Sequence, residues 1–304
     1  VSFHDTCAKQ EGIVAVTDVD YSLSQMDARE FKLFRELVHA ETGIWLRDGK
    51  QVMLASRLSR RLRHHGLDSF SEYYKHVKNC RDGGAELGEL INCVTTNKTS
   101  FFREPHHFDF LAETMVPEIQ AAAARGGPRK VSIWSAASST GEEPYSIAMT
   151  LLESLRKPGV SGWDIRIAAS DIDTNVLATA ARGVYPEEFL ASVPEELRKK
   201  YFLRGKEDML GSVKVRKEVA SLVEFQRINL MDRAWPLRGS FDAIFFRNAL
   251  IYFNQDTQDI FLRKMASYLK PRGYLFLGHS EHVPWLHAIL EPLNKTMYRL
   301  RDSR

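Results

Sequence analysis

The sequence predicts a small all-helical domain followed by a larger α/β domain built on a doubly wound, mostly parallel sheet. Three observations predict it. Apolar residues recur at helical spacing through residues 24–93, with no strand pattern among them. Gly126-Gly127-Pro128 then breaks the chain. Beyond that break, short β-rich runs alternate with helical segments, as parallel strands joined by crossover helices do. A length of 304 residues suits about two domains. With 44% hydrophobic and 27% charged residues, the chain is neither disordered, collagen-like nor a disulfide scaffold.

Residues 1–22 show no period and read as a lead-in segment. Phe31, Phe34, Leu37 and Val38 then mark a first helix, which Gly43 stops. A second helix is expected over 48–65, where Val52, Leu54, Ala55, Leu58 and Leu62 lie on or near one face and Gly66 ends it. Ser69-Phe70-Ser71-Glu72 opens a third, and residues 85–93 read as a fourth. The N-terminal domain is therefore set at 23–93, a linker and connecting helix at 94–128, and the second domain at 129–304.

In the second domain Val131-Ser132-Ile133-Trp134 is the first strand and residues 142–155 the helix after it. Ile165-Arg166-Ile167-Ala168-Ala169 is the next strand, ending at Asp171 and followed by a helix over 173–182. Strands are also expected over 241–246, 274–277 and 296–300, with a helix over 255–269. Residues 205–230 break the alternation. They hold two β-rich runs, 212–216 and 222–227, without helical filler between them. They predict a small antiparallel β-subdomain inserted in the α/β domain.

Forty-two basic residues against 39 acidic ones, net +3, are too balanced for a general nucleic-acid binder. Cys7, Cys80 and Cys93 are odd in number and form no CxxC pair, which fits a reducing cytoplasm. No apolar run reaches about 18 residues, so no membrane insertion is expected. The first residues lack the basic start and apolar middle of a signal peptide, and the missing Met is expected to reflect trimming or an engineered start.

Ligands of open parallel sheets bind at the carboxyl ends of the strands. The first strand runs into Ser135-Ala136-Ala137-Ser138-Ser139-Thr140-Gly141-Glu142-Glu143, small residues that let backbone approach a ligand. GxGxxG and Walker patterns are both missing, and two carboxylates open the helix where a phosphate would need amides. Asp171 ends the next strand, where an acid commonly accepts from ribose hydroxyls. A ribose, no phosphate and a positive centre together describe S-adenosylmethionine, whose amino group suits Glu142 or Glu143. Each of these carboxylates alone is more often a helix cap. Their order within one strand–helix–strand unit favours the cofactor.

Several longer strings then fall into place. Thr96-Asn97-Lys98-Thr99-Ser100-Phe101-Phe102-Arg103-Glu104, residues 134–146, Ser170-Asp171-Ile172-Asp173, Phe246-Arg247-Asn248-Ala249-Leu250-Ile251-Tyr252-Phe253 and Gly278-His279-Ser280-Glu281 closely resemble the CheR-type chemotaxis receptor methyltransferases. The resemblance covers about 24–300 in one order. It implies a Rossmann-like S-adenosylmethionine-dependent methyltransferase domain that methylates glutamate side chains on the cytoplasmic helices of bacterial chemoreceptors, leaving S-adenosylhomocysteine. Position by position, it implies that Asn97, Thr99 and Arg103 approach the cofactor, Glu143 holds its amino group and Asp171 its ribose. Asn229 and Leu230 would border the adenine, Arg247 and Asn248 would close the methionine side, and Arg103 and Tyr252 would face the transferring methyl.

Arg57, Arg60 and Arg63 share a helix without acidic residues after Asp48, spaced as neighbours on one face. Cations there suit the helix dipole; the resemblance, since receptor methylation helices are acidic, adds a substrate-docking role. Nucleic acid is a poorer partner, since neither an evident helix-turn-helix, interleaved aromatics nor a DPPY-type motif is present. No metal is expected: His106 and His107 should point apart on a helix, and His279 and His282 lack a third ligand at recognisable spacing. In the family the β-subdomain can bind a C-terminal receptor pentapeptide by strand addition. Tethered members are richer in glycine than Arg204-Gly205-Lys206-Glu207-Asp208-Met209-Leu210-Gly211, so the resemblance supports the subdomain more than the pentapeptide tether.

Overall fold

The computed structural model describes residues 25–79, 84–155, 162–294 and 296–302, with the backbone of Ser2–Phe3. Most of the lead-in segment, with Cys7 and Cys80, lies outside the described residues. Contacts divide the chain into two compact units, His4–Thr96, and Asn97–Arg304 together with Val1–Phe3.

The first unit is helical as predicted: α1 (Ala28–Thr42), α2 (Gln51–His65), α3 (Phe70–Asn79) and α4 (Ala85–Val94). Asp27 and Glu30 cap α1 reciprocally, each side chain accepting from the other's backbone N–H. Gly43 and Gly66 end α1 and α2 in the left-handed conformation. Phe34, Leu54, Leu58, Leu62, Tyr73 and Leu90 are fully buried and form the centre of this unit.

One carboxylate sits inside this core. Glu86 of α4 is 4% exposed and accepts from Tyr73 Oη at 2.6 Å, from Arg61 Nε at 3.0 Å, and from Arg61 Nη2. His65 Nε2 lies 2.8 Å from the same carboxylate. Burial alone would push Glu86 up; the donors outweigh it and hold its pKa down at about 2. A folded value below the unfolded one stabilises above the unfolded value, here by about 3 kcal/mol. That share is lost as pH falls from about 4.5 through about 2. Glu86→Gln should therefore cost about 3 kcal/mol at pH 7 and progressively less toward pH 2, read by denaturant unfolding of both proteins. A deficit that stays constant with pH would refute the assignment.

The second unit opens with α5 (His106–Phe110), which continues through π-helical turns (Leu111–Met115) into α6 (Val116–Ala124). The main sheet follows: β2 (Lys130–Ala136), β3 (Asp164–Asp171), β7 (Val223–Arg227), β8 (Phe241–Phe246), β9 (Leu269–Leu277), β10 (Leu290–Asn294) and β11 (Met297–Leu300). Its order is β10-β11-β9-β8-β2-β3-β7, parallel from β9 to β7 and antiparallel at β9–β11–β10. The helices α7 (Glu142–Leu155), α8 (Thr174–Arg182) and α11 (Gln255–Ser267) connect strands. Period-two alternation sorts the core. Val131, Ile133, Ala243, Phe245 and Phe276 pack with Ile147 and Leu151 of α7. Trp134, Ala136, Ile244, Phe246 and Leu275 pack with Leu262 and Met265 of α11. Helices on both faces of a mostly parallel sheet make the doubly wound architecture.

The small sheet differs from its expected extent. It comprises β1 (Ser2–Phe3), β4 (Val184–Pro186), β5 (Phe202–Gly205) and β6 (Ser212–Val215), in the order β1-β5-β6-β4. Its antiparallel pairs are β5–β6 and β4–β6. The run at 222–227, expected in the β-subdomain, is instead β7, paired parallel with β3 at the edge of the main sheet. Between β6 and β7 only the single turn α10 (Lys217–Ala220) intervenes, too short to look like a crossover helix. The helix α9 (Glu195–Tyr201) leads into β5. The strand β10 escaped the sequence reading because Pro292, at a register shift, breaks its pattern; as an edge strand it tolerates the missing donor.

Candidate active site

Register sets the site. Ala136 pairs with Ser170, while Ser135 pairs with both Ala169 and Phe245, so β2, β3 and β8 end at one level. Strand order also reverses direction at β2, with β3 and β7 on one side and β8 and β9 on the other. Open α/β sheets bind ligands at the carboxyl side of such a switch.

Asp171 ends β3 and is buried. Its Oδ2 accepts from Ser139 N–H at 2.8 Å and its Oδ1 from Asp173 N–H at 3.0 Å. Burial pushes its carboxyl up despite these donors and that of Ile172. The loop after β2 is held by Ser138 N–H on Ser170 O, 2.9 Å, and by Ser139 Oγ donating to Asn97 O, 2.9 Å. Asn97 Nδ2 donates to Asp173 Oδ2 at 2.8 Å, tying residue 97 to the cap of α8. Gly141 has φ +96°, and a Cβ there would lie 2.8 Å from that of Ala180, so only glycine lets the loop approach α8 so closely.

Glu142 and Glu143, equivalent by sequence, separate in the structure. Glu142 is buried, accepts from Thr140 Oγ1 at 2.7 Å and leaves Oε1 without a hydrogen bond; burial pushes its carboxyl up. Glu143 instead accepts from Ser135 Oγ at 2.7 Å and pairs with Arg247 Nη1 at 3.0 Å. Burial holds Glu143 above its ordinary value even against Arg247, and the charge of Glu104 adds to the rise. The Arg247 side chain is 1% exposed, lies 3.3 Å from Glu104 Oε2 through Nη2, and also donates to Arg103 O. Glu104 Oε1 accepts from Asn248 Nδ2 and His279 N–H, both at 3.1 Å. Burial would raise Glu104, yet Arg247 and these donors bring it below the ordinary range.

The remaining candidates fall on the same loops. Ile228 N–H donates to Asp171 O at 3.0 Å, which brings the exit of β7 alongside β3. Asn229 follows, its Oδ1 accepting from Met231 N–H, and Leu230 packs on the Trp134–Trp235 cluster. Thr99 is half-buried between Asn97 and Arg103, and Arg103 Nη1 donates to Lys98 O at 2.9 Å. Tyr252 is half-buried and ends a 3-10 turn, Leu250–Tyr252, in the loop after β8. In the helical unit Arg60 and Arg63 are exposed. Arg57 Nη1, by contrast, donates to the carbonyls of Cys93, Val94 and Thr95 at 3.1, 2.9 and 2.7 Å. It caps the carboxyl end of α4, a folding task its spacing on α2 does not reveal.

His106 and His107 correct a second expectation. Their rings do not diverge: the centroids are 4.2 Å apart, and with Glu104 their ligating atoms lie within 4.8 Å of one another. Arg247 already supplies the cation for that Glu104 oxygen.

Two residues to which the sequence reading gave no role are central here, Glu104 and Glu281. Both stood inside the quoted motifs, and a carboxylate beside buried apolar strands was the available signal. Glu281 is buried and accepts from backbone N–H groups of Gly278, Asn248, Leu250 and Ile251, while burial nevertheless raises its carboxyl.

The residues fit S-adenosylmethionine. Two carboxylates share one guanidinium, leaving an excess negative charge for an ammonium, and buried Arg247 Nε has no hydrogen-bond partner, a spare donor for a carboxylate. Those are the needs of a zwitterionic amino-acid end. Asp171 has no cation on it in the described residues, and its oxygens keep lone pairs for hydroxyl donors. The backbone is unusual at this end of the sheet: Phe102, Glu104, Ala137, Ser139 and Asn248 all have φ between 50° and 59°. Such left-handed conformations cluster at functional sites.

Residues 29–95 match a family model described as CheR methyltransferase, all-alpha domain, and residues 97–299 one described as CheR methyltransferase, SAM binding domain. Chemotaxis protein methyltransferase 2 of Pseudomonas aeruginosa is 44% identical over 269 residues, covering 88% of this chain and 92% of that protein. The chemotaxis protein methyltransferase of Klebsiella aerogenes is 41% identical over 302 residues, 97% of this chain and all of its own. That of Salmonella typhimurium is 43% identical over 274 residues, covering 90% of this chain and 91% of its own. Among the described residues no helix is long and apolar enough to cross a membrane.

Proposed function

The chain belongs to the CheR methyltransferase family of S-adenosylmethionine-dependent enzymes, and on that premise we propose that it methylates glutamate side chains on the cytoplasmic helices of a bacterial chemoreceptor. The product is a glutamate methyl ester used in chemotaxis adaptation, and the work is cytoplasmic. The single observation that most supports this is the buried Arg247–Glu143–Glu104 cluster at the Asp171 end of the sheet. In this reading 129–304 is the methyltransferase domain, 94–128 its linker and 23–93 the docking domain.

When bound, S-adenosylmethionine supplies an electrophilic methyl on a sulfonium leaving group. Asp171 accepts from the ribose, Glu143 takes the ammonium, and Arg247 and Asn248 close the methionine end. Asn97 and Thr99 contribute from the linker, and Asn229 and Leu230 border the adenine. The acceptor glutamate, with an ordinary pKa of about 4.3, is ionised at neutral pH and needs no strong base. Arg103 orients that carboxylate through paired hydrogen bonds, and Tyr252 positions the reacting groups through its hydroxyl. In-line placement of oxygen, carbon and sulfur is then the main source of acceleration.

Arg60 and Arg63, exposed on α2, suit an acidic receptor helix. Arg57 shares the face but also caps α4, so reversing its charge would test folding as well as docking. The test is radiolabelled methyl donor incubated with a receptor cytoplasmic fragment, or with RNA and DNA. Base-labile label on the receptor is expected; cofactor binding without transfer to the receptor would indicate a sensor instead. In the same assay Arg60→Glu with Arg63→Glu should raise the receptor KM at least about tenfold at low salt and leave cofactor affinity intact. An unchanged KM would remove both arginines from docking.

A further inference from the structure

Glu281 touches neither cofactor nor acceptor in the reading above, yet its carboxylate is the most heavily used acceptor near the site. It follows β9 in the turn Gly278-His279-Ser280-Glu281, closed by Glu281 N–H on Gly278 O at 2.8 Å. Its Oε2 accepts from Gly278 N–H at 2.6 Å and Asn248 N–H at 2.9 Å; its Oε1 accepts from Leu250 N–H at 2.9 Å. Ile251 N–H is a fourth donor. Among the described residues no cation pairs with it. Three of the four donors belong to one loop, the one that carries Arg247 at its start and Tyr252 at its end.

Gln258 Nε2 holds the carbonyls of Leu250 and Phe253, and Tyr252 N–H bonds to Ala249 O, but none of these takes the N–H groups of Asn248, Leu250 and Ile251. Asn248 is left-handed at φ +59°. Its N–H and those of Leu250 and Ile251 converge on one point, where no backbone carbonyl takes their place. Without an anion there, three donors would face one another across a tight turn. Gly278 lets the second loop reach this point: a Cβ there would lie 2.4 Å from Asn248 Nδ2 and 2.8 Å from Glu281 Oε2. The carboxylate thus replaces the regular backbone pairing that ends with β8 at Phe246.

We propose that Glu281 is a positioning residue, a built-in anion that holds the Arg247–Tyr252 turn in the form that binds cofactor and faces the acceptor. The proposal rests on the roles assigned above to Arg247, Asn248 and Tyr252. A displacement of about 1 Å in such a turn is enough to slow transfer by about 100-fold.

The full-length enzyme tests this with Glu281→Gln, Glu281→Asp, Tyr252→Phe and the Gln–Phe double variant. Gln keeps the volume but turns an NH2 toward backbone donors; Asp keeps the charge at shorter reach. Glu281→Gln should keep the receptor KM and lower kcat by about 30- to 100-fold, with S-adenosylhomocysteine bound about tenfold more weakly in calorimetry. Asp should restore part of both. Tyr252→Phe should slow the wild-type enzyme and add little in the Gln background, because the two act through one turn. If Glu281 merely stabilised the fold, the loss would be in soluble, active enzyme, kcat per folded molecule would hold, and the two substitutions would multiply. Unchanged kcat and product affinity in a folded Glu281→Gln protein overturn the proposal; should Gln not fold, an Asp variant with wild-type values does so. Failure of Tyr252→Phe to slow the wild-type enzyme would overturn the Tyr252 assignment instead, since product affinity does not depend on the acceptor.

Discussion

Arg247→Ala is expected to destabilise the second unit by about 3–5 kcal/mol. Arg247 is the guanidinium shared by Glu143 and Glu104, with His107 Nδ1 3.5 Å from Glu104 as a further neighbour, and the Arg247, Glu143 and Glu104 side chains are largely removed from water. Deleting it leaves two carboxylates facing each other without their shared guanidinium and takes a donor from Arg103 O. Removing one partner of a buried pair costs far more than the pair itself contributes, because the survivors stay desolvated and unpaired. The pH dependence has a defined sign. Glu143 is already held above its ordinary pKa by burial, and loss of the guanidinium raises it further. Lowering the pH protonates that carboxylate and removes the repulsion, so the deficit should be smaller at pH 5 than at pH 8. Denaturant unfolding of wild type and variant at both pH values checks this. A loss under about 1 kcal/mol, or one that grows on acidification, would show that the cluster is not the charged unit described.

The second large effect is expected at Asp171. Alanine there removes the acceptor for three backbone N–H groups, those of Ser139, Ile172 and Asp173. It also removes the acceptor assigned to the ribose. Hydrogen bonds to a charged acceptor are worth about 1.5–3 kcal/mol each, and two hydroxyl contacts together amount to about two decades of affinity or more. Asp171→Ala should therefore weaken S-adenosylhomocysteine binding by at least about 100-fold in calorimetry. Asp171→Asn, which retains one oxygen but turns hydrogens toward the amides, should fall between. Unchanged affinity in a folded Asp171→Ala protein would refute the ribose role.

Much of this molecule was legible in its sequence, and the reasons are local. Val131, Ile133 and Trp134 alternate because a strand has period two and both faces of this sheet are covered. The stripe Leu54, Leu58, Leu62 reads as a helix because one turn separates its members. Asp171 stood out because it ends such a strand. What could not be read depends on partners far along the chain. Arg57 meets Cys93, Val94 and Thr95 only once α2 packs on α4. Glu281 reaches Asn248 only through the register of β8 and β9, in which Phe246 pairs with Leu277. The strand at 223–227 looked like one arm of a hairpin because its neighbour in sequence is β6, whereas its partner in the sheet is β3. Pairing choice is a tertiary decision, and no local pattern records it.

The five left-handed residues around the site bear on the order in which the molecule assembles. Phe102, Glu104, Ala137, Ser139 and Asn248 each adopt a backbone that an isolated chain disfavours by about 1–2 kcal/mol, Asn least of all. Within their own segments only short turn bonds help, such as Arg103 N–H on Ser100 O and Gly141 N–H on Ser138 O. Groups delivered from elsewhere complete the hold, such as Asp171 for Ser139 and Glu281 for Asn248. The strands, driven together by their apolar faces, can pair before these loops lock; the loops cannot lock before the strands pair. This end of the sheet is therefore expected to lock late in folding and to open early under stress. Amides along 137–141 and 248–251 should exchange with solvent through smaller fluctuations than those of β2 and β8 beneath them.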